Sequence, residues 1–372
     1  MELSSDDVAV RVSDGMRPDG PTSTAHGVPR ITRVDPQFIS RLEAESAYVV
    51  EPAHLPRWLG IGAEGYWMPL DPAAKKFLDQ VAAMGAPPTH TLTPAVVRAA
   101  RAPVPPGPDV ARVEDMEVFG PEGPIPVRLY YPSNEANLPV LVWYHGGGWV
   151  IGSVEGDDPT ARRLCLATGA IVISADYRLA PEHPYPAAVD DAYAVAVWAW
   201  QNAARYGGDA TRMAIGGWSA GANLAAVVTL LSRDRGGPVF RHQLLVVPVT
   251  DARMETDSYV DNAEGFILSK PLMEWFYDHY APVGVDRSHH TISPLFAESH
   301  ADLPPADIHV AEFDPLRDEG EAYAKVLEAA GVPVTVTRHP GQIHTFFTAA
   351  HLFPHGLETL GVAAERVKQA LA

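Results

Sequence analysis

Cysteine is nearly absent. Cys165 is the only one in 372 residues, which excludes an intramolecular disulfide and any cysteine-based zinc or iron–sulfur centre. Basic residues are also scarce: Lys and Arg total 28 against 46 Asp and Glu, and only five of the 28 are Lys. The formal charge of −18 makes nucleic acid and anionic lipid poor partners, because phosphate binding needs clustered Lys and Arg. No stretch of about 18 uncharged apolar residues occurs, so no membrane span is expected. The run from Leu138 to Tyr144 has only the length of a strand. The N-terminal Met-Glu-Leu-Ser-Ser-Asp-Asp lacks a basic segment followed by an apolar one, so no signal peptide is expected and the simplest location is cytoplasmic. What the chain has in quantity is apolar residues, 47% in all, enough for a large core and too many for general disorder.

Proline, with 35 residues, divides the chain. Residues 1–35 show no sustained period and read as a loose arm. Asp35 before Pro36, Asp71 before Pro72 and Thr93 before Pro94 each signal a helix start, predicting helices over Asp35 to Ser46, Asp71 to Met84 and Thr93 to Arg101. Ala102 to Asp109 holds four prolines and reads as a linker.

Beyond it the rhythm changes. Strands are predicted at Val113 to Phe119, Pro126 to Tyr131, Val140 to Tyr144, Ile171 to Ser174, Met213 to Ile215, Leu244 to Val249, Ile308 to Ala311 and Val334 to Arg338. Helical stretches alternate with the later strands: Asp158 to Thr168, Ala187 to Tyr206, Ser219 to Asp234, Arg317 to Ala330 and Leu357 to Ala372. That alternation predicts an α/β fold with an eight-stranded, mostly parallel sheet and helices on both faces. Arg253 to His290 exceeds one crossover helix. It is read as an insertion, with an amphipathic helix near Leu272 to Tyr280, folding over the sheet edge together with the N-terminal helices.

Gly217-Trp218-Ser219-Ala220-Gly221 follows the Met213 strand and opens a helix. A Gly-x-Ser-x-Gly turn between strand and helix lifts a serine Oγ clear of the backbone, and the flanking residues must be small because strand and helix crowd there. His145-Gly146-Gly147-Gly148-Trp149 follows the Val140 strand, and three glycines let backbone N–H groups point into open space. A phosphate loop fails on spacing, since no Gly-Lys-Ser/Thr follows. A serine nucleophile needs a base, and the base needs an orienting carboxylate; with this elbow the chain order is Ser, acid, His. Asp314 and His344 follow the last two strands. Asp251 is the rival acid and His339 the rival base, while Asp318 is expected to serve as a cap or in an ion pair. His145 is expected to brace its loop. The His289-His290 pair lacks a carboxylate motif, so no metal is predicted, and the chemistry needs no cofactor.

Together these pieces resemble the hormone-sensitive-lipase-like (family IV) carboxylesterases of the α/β-hydrolase fold. The matching segments are Tyr144 to Ser153, Asp176 to Asp191, Ser219-Ala-Gly, Asp314 to Glu319 and the His344 loop. The resemblance implies an oxyanion hole from the N–H groups of Gly147, Gly148 and Ala220, and a two-part helical cap over an acyl pocket. It implies a structural rather than catalytic role for Asp176 to Asp191, despite Glu182 and His183. The domains then run 1–109 for the arm and first cap part, 110–252 for the core, 253–291 for the cap insertion and 292–372 for the rest of the core.

The family most often carries Asp before the serine and Gly three after it; here Trp218 and Ala222 stand there. Trp218 either packs under the elbow or lines the pocket, and Trp149 is a second pocket candidate. Of the cap-region aromatics Trp58, Tyr66, Trp67, Phe77, Phe266, Trp275 and Phe276, most are expected to be cap core.

The expected activity is hydrolysis of short- to medium-chain carboxylic esters through an acyl-serine, falling as pH drops through the titration of the His344 base. An amidase, formamidase or carbamate hydrolase with the same triad is the alternative. A non-catalytic receptor, as in the related plant gibberellin receptors that lack the histidine, is the third. The expected partner is a small-molecule ester, with a homodimer through the last strand and C-terminal helix also in view.

Overall fold

The strands form where the chain is apolar on both sides. In Leu138–Tyr144 (β3), Val140, Val142 and Tyr144 enter one core while Leu141 and Trp143 enter the other. A central strand of a doubly covered sheet needs that two-sided hydrophobicity. The computed structural model describes residues 69–101 and 103–372; the helix expected at 35–46 and the aromatics Trp58, Tyr66 and Trp67 lie outside the described residues.

The other strands are Arg112–Gly120 (β1), Gly123–Tyr131 (β2), Ile171–Ala175 (β4), Gly208–Trp218 (β5), His242–Val246 (β6), Ala306–Phe313 (β7) and Val334–Ile343 (β8). They make one eight-stranded sheet in the order β1-β2-β4-β3-β5-β6-β7-β8. β1 pairs with β2, and β2 with β4, antiparallel; every other pairing is parallel. From β3 the chain goes to β4 on one side and then to β5 on the other. The crevice where that order reverses lies at the carboxyl ends of β3 and β5, the place where open α/β sheets bind ligands.

Val154–Thr168 (α3) and Pro354–Leu371 (α9) bury Leu164, Leu360 and Ala363 against one face. Ala187–Asn202 (α4), Ala220–Arg235 (α5) and Arg317–Ala329 (α8) cover the other. The N-terminal helices Pro72–Ala83 (α1) and Pro94–Ala99 (α2) start where the Asp-Pro and Thr-Pro signals put them. The Asp71 carboxylate accepts the Ala73 N–H at 2.8 Å, and Thr93 Oγ1 that of Val96.

Most strands run beyond the spans read from the sequence, β8 as far as Ile343, and two of the differences have a local cause. β6 ends at Val246, because Val247 takes a positive φ of 42° and Pro248 has no N–H for a ladder. β5 begins five residues earlier than its apolar core, at Gly208, where Asp209 and Arg212 pair with each other at its exposed end.

The insertion carries Asp257–Asp261 and Lys270–Tyr280 (α6 and α7). α7 buries Met273, Phe276, Tyr277 and Tyr280, and Tyr280 stacks on Trp149 at 4.2 Å. α1 meets the core at a different place. The Asp71 N–H donates to the Gly341 carbonyl at 2.9 Å, and the Phe77 ring packs edge-on against Phe353 at 5.6 Å. α1 and α7 thus flank the carboxyl ends of the sheet.

Candidate active site

Ser219 sits between β5 and α5 with φ +56° and ψ −122°, a conformation that non-glycine residues rarely adopt. The crowding that the pentapeptide implies is there: a Cβ on Gly221 would stand 2.0 Å from the Tyr144 carbonyl oxygen, and one on Gly217 2.4 Å from Gly221. The structure brings Ser219, His344 and Asp314 into one hydrogen-bonded row. His344 Nε2 lies 2.9 Å from Ser219 Oγ, and His344 Nδ1 lies 2.7 Å from Asp314 Oδ2. With the aspartate as acceptor, Nδ1 carries the proton and Nε2 is free to accept from the serine. All three side chains are buried, and Asp314 Oδ1 accepts the Leu316 N–H at 3.0 Å, which fixes the carboxylate plane.

Each rival residue is engaged elsewhere. Asp251 accepts from Arg253, with Oδ2 2.7 Å from Nη2. Asp318 accepts the Ser258 N–H and pairs with Arg317. His339 is the middle member of a row behind the sheet: His309 Nε2–H donates to Asp307, His339 Nε2–H to His309 Nδ1 at 2.9 Å, and His355 Nε2–H to His339 Nδ1 at 2.9 Å. Both its nitrogens are used, so it has none to offer a serine.

Burial, with the neighbouring His309 and His355, pushes the His339 imidazole down to about 3. Its neutral form is favoured by the fold, so its contribution is complete above the ordinary histidine range and is lost as pH falls from about 6.5 towards 3, at up to ~1.4 kcal/mol per pH unit. Thermal melts between pH 7 and pH 4 are expected to show His339→Gln losing Tm less steeply than the wild type. Parallel slopes would refute this assignment.

The glycine loop after β3 is held from two sides. Arg98 of α2 donates from Nε to the Val150 carbonyl at 2.8 Å and from Nη2 to that of Ala180 at 2.6 Å. Tyr177 donates to the His145 carbonyl at 2.8 Å, and its ring stacks on His145 at 4.3 Å. Burial pushes His145 down, so it stays neutral and braces the loop. In the segment Asp176 to Asp191, Asp176 accepts the Val154 N–H, Asp191 holds Arg178 and Glu182 pairs with Arg98. Gly147 and Gly148 follow the carboxyl end of β3 with φ of +118° and +58°, and Ala220 opens α5, where its N–H has no intrahelical acceptor.

The two pocket candidates part company. Trp149 has no exposed surface; it is the layer between the loop and α7, stacked on Tyr280 and tilted against Tyr277. Its size and glycine flanks suggested a pocket wall, but the packing makes it a foundation. Trp218 lies beside the row, its ring 5.9 Å from that of His344, and a Cβ on Gly146 would meet it at 2.7 Å. Phe276 of α7 covers Gly148 directly. Two residues are given no role in the sequence reading. Asn262 donates to the Asp314 carbonyl at 3.2 Å, and Asp157 of α3 lies buried beside Trp143 and Trp218. An acid in a first helical turn reads as a partner of the helix dipole, and nothing local marks this one as buried. No cluster of three or more His, Cys, Asp or Glu among the described residues is arranged to hold a metal ion, and no described helix is long and apolar enough to cross a membrane.

Fold and site together define an α/β hydrolase. The α/β hydrolase fold family matches residues 141–348. A carboxylesterase of Mycobacterium tuberculosis, NlhH, is 46% identical over 252 residues, 66% of this chain and 79% of the relative. An ethyl acetate hydrolase of Pseudomonas putida is 37% identical over 251 residues, with the same shares. Among solved structures, an α/β hydrolase from the metagenome of Lake Arreo is 42% identical and superposes with a TM-score of 0.77 over 81% of this chain and 98% of its own. The chain belongs to the hormone-sensitive-lipase-like carboxylesterases.

Proposed function

We propose that this chain hydrolyses short- to medium-chain carboxylic esters in two acyl transfers at Ser219. The observation that carries the reading is the continuous Ser219–His344–Asp314 row. Ser219 Oγ attacks the ester carbonyl while His344 Nε2 takes its proton. Asp314 holds the imidazole tautomer and stabilises the imidazolium without itself taking the proton. The carbonyl electrons move onto oxygen, where the N–H groups of Gly147, Gly148 and Ala220 receive them. Collapse expels the alcohol, protonated by His344. A water then gives its proton to Nε2 and attacks the acyl-serine, and the acid leaves as Oγ regains the proton.

The helices of the 253–291 insertion, with α1 and α2, form the cap, and Phe276 and Trp218 set the length of acyl chain that fits. A cytosolic location and a homodimer through β8 and α9 belong to the same reading; analytical ultracentrifugation reads the latter.

The test is hydrolysis of p-nitrophenyl esters from acetate to palmitate. Rates should peak between acetate and octanoate and fall steeply beyond. A folded protein that cleaves none of these esters overturns the reading, and cleavage of anilides or carbamates in their place would redirect it to the amide-bond hydrolases.

A further inference from the structure

Asp157 is a buried acid beside the candidate site that the mechanism does not use. It stands in the first turn of α3, 4% exposed. Its Oδ2 accepts the Trp143 indole N–H at 2.6 Å. The Trp218 indole nitrogen also faces it. That nitrogen is buried and makes no hydrogen bond in this conformation. The charged and titratable groups turned towards the carboxyl are Arg101, from the segment after α2, and Tyr177, from the segment after β4.

Trp218 is therefore bounded on three sides. Asp157 is behind its N–H, Gly146 of the oxyanion loop is against one part of the ring, and His344 is 5.9 Å from it at an interplanar angle of 47°. A bulky residue directly before the nucleophile reaches both the base and the loop that receives the oxyanion. Whatever fixes its rotation fixes both.

We propose that Asp157 is a positioning residue of the active site: its carboxylate holds the Trp143 and Trp218 indoles, and Trp218 in turn holds His344 and the Gly146 turn in register. The inference rests on the esterase reading for its kinetic consequence and on the packing alone for its structural one. A carboxylate can accept from both indoles at once. Once protonated it loses its charge and turns one oxygen into a donor, so its grip on the two indole N–H groups weakens. Burial, opposed by the indole donors and Arg101, pushes Asp157 up to about 7. Its ionisation then falls within the working range, and its protonation acts in the same direction as protonation of the base: both lower activity as pH falls.

The experiment is the pH profile of kcat and kcat/KM for p-nitrophenyl butyrate in the wild type, Asp157→Asn, Trp218→Phe and the double variant. The wild type should show, besides the limb set by the base, a step of about three- to tenfold in kcat near pH 7. Asp157→Asn should remove the step and stay near its lower level, with KM moved less than kcat. Trp218→Phe keeps a smaller aromatic ring and loses the N–H, so it should also remove the step, and adding Asp157→Asn to it should cost nothing further. A buried acid that merely supports the fold would lower yield or Tm and leave the profile unchanged. A single ionisation with the same shape in all variants, or additive losses in the double variant, overturns the proposal.

Tryptophan emission titrated from pH 5 to pH 9 reads the placement without catalysis. An inflection near pH 7 in the wild type that Asp157→Asn lacks supports it even where no ester is cleaved, an outcome that would sink the esterase reading alone. No difference between the two titrations overturns the inference itself.

Discussion

Ser219→Ala should lower kcat for p-nitrophenyl butyrate by about a millionfold, leaving only the residual rate that a binding pocket and oxyanion donors provide. The expectation follows from the geometry of one row. Among the described residues Oγ has a single base within reach, His344 Nε2 at 2.9 Å, and that base has a single orienting acid, Asp314 at 2.7 Å. Groups that work as one unit lose most of their effect when any is removed. His344→Ala should therefore cost nearly as much as Ser219→Ala, and the double variant no more than either. Asp314→Asn is a smaller lesion of a different kind. The amide would turn its N–H towards Nδ1, so the imidazole would present its proton to the serine instead of a lone pair, at a cost of about ten thousandfold. Steady-state assays with matched thermal melts check all four. Ser219→Ala within tenfold of the wild type would remove Ser219 as nucleophile, and additive losses in the double variant would mean that serine and histidine act apart.

The parts of the molecule legible in the sequence are those in which local pattern and tertiary role coincide. The run Val140 to Tyr144 is apolar at every position because β3 is covered on both faces, so period and burial tell the same story. The Asp71-Pro72 and Thr93-Pro94 pairs mark helix starts because their side chains cap the helices that follow. Ser219, Asp314 and His344, 125 residues apart at the extremes, could be paired because each follows a strand that ends at the same edge of the sheet. What stayed hidden depends on which way a side chain turns. Trp149 and Trp218 are both tryptophans beside a reactive loop. One is sealed under α7 by stacking on Tyr280, and the other stands next to His344, a difference decided by helices far away in the chain. Asp157 and Asp158 are neighbours of one type. Asp158 turns to Arg162 and Tyr130, and Asp157 turns inward to an indole. No spacing rule separates them.

The second large effect concerns the oxyanion loop, where two adjacent glycines should fail for different reasons. A Cβ on Gly147 would stand 2.0 Å from the Ile151 carbonyl oxygen, and the residue has φ +118°. The obstacle is backbone, and Ile151 is tied back to Gly147 by its own N–H at 2.9 Å, so the whole turn must move. A Cβ on Gly148 would stand 2.2 Å from the Phe276 ring, at φ +58°, a left-handed conformation that alanine adopts at modest cost. There the obstacle is one side chain on α7. In the proposed mechanism each substitution shifts N–H donors that receive the oxyanion, and losing one such donor costs about a hundred- to a thousandfold in kcat. Gly147→Ala and Gly148→Ala are both expected to fall that far in kcat for p-nitrophenyl butyrate, with KM changed much less. Only the second should be rescued by making room: Phe276→Ala added to Gly148→Ala should return at least tenfold in kcat, and the same change added to Gly147→Ala should return nothing. Equal rescue of both would show that the cap, and not the fixed turn from Gly147 to Ile151, holds the donors in place. Rescue of neither would mean that the left-handed backbone at Gly148, and not the Phe276 ring above it, is what demands glycine.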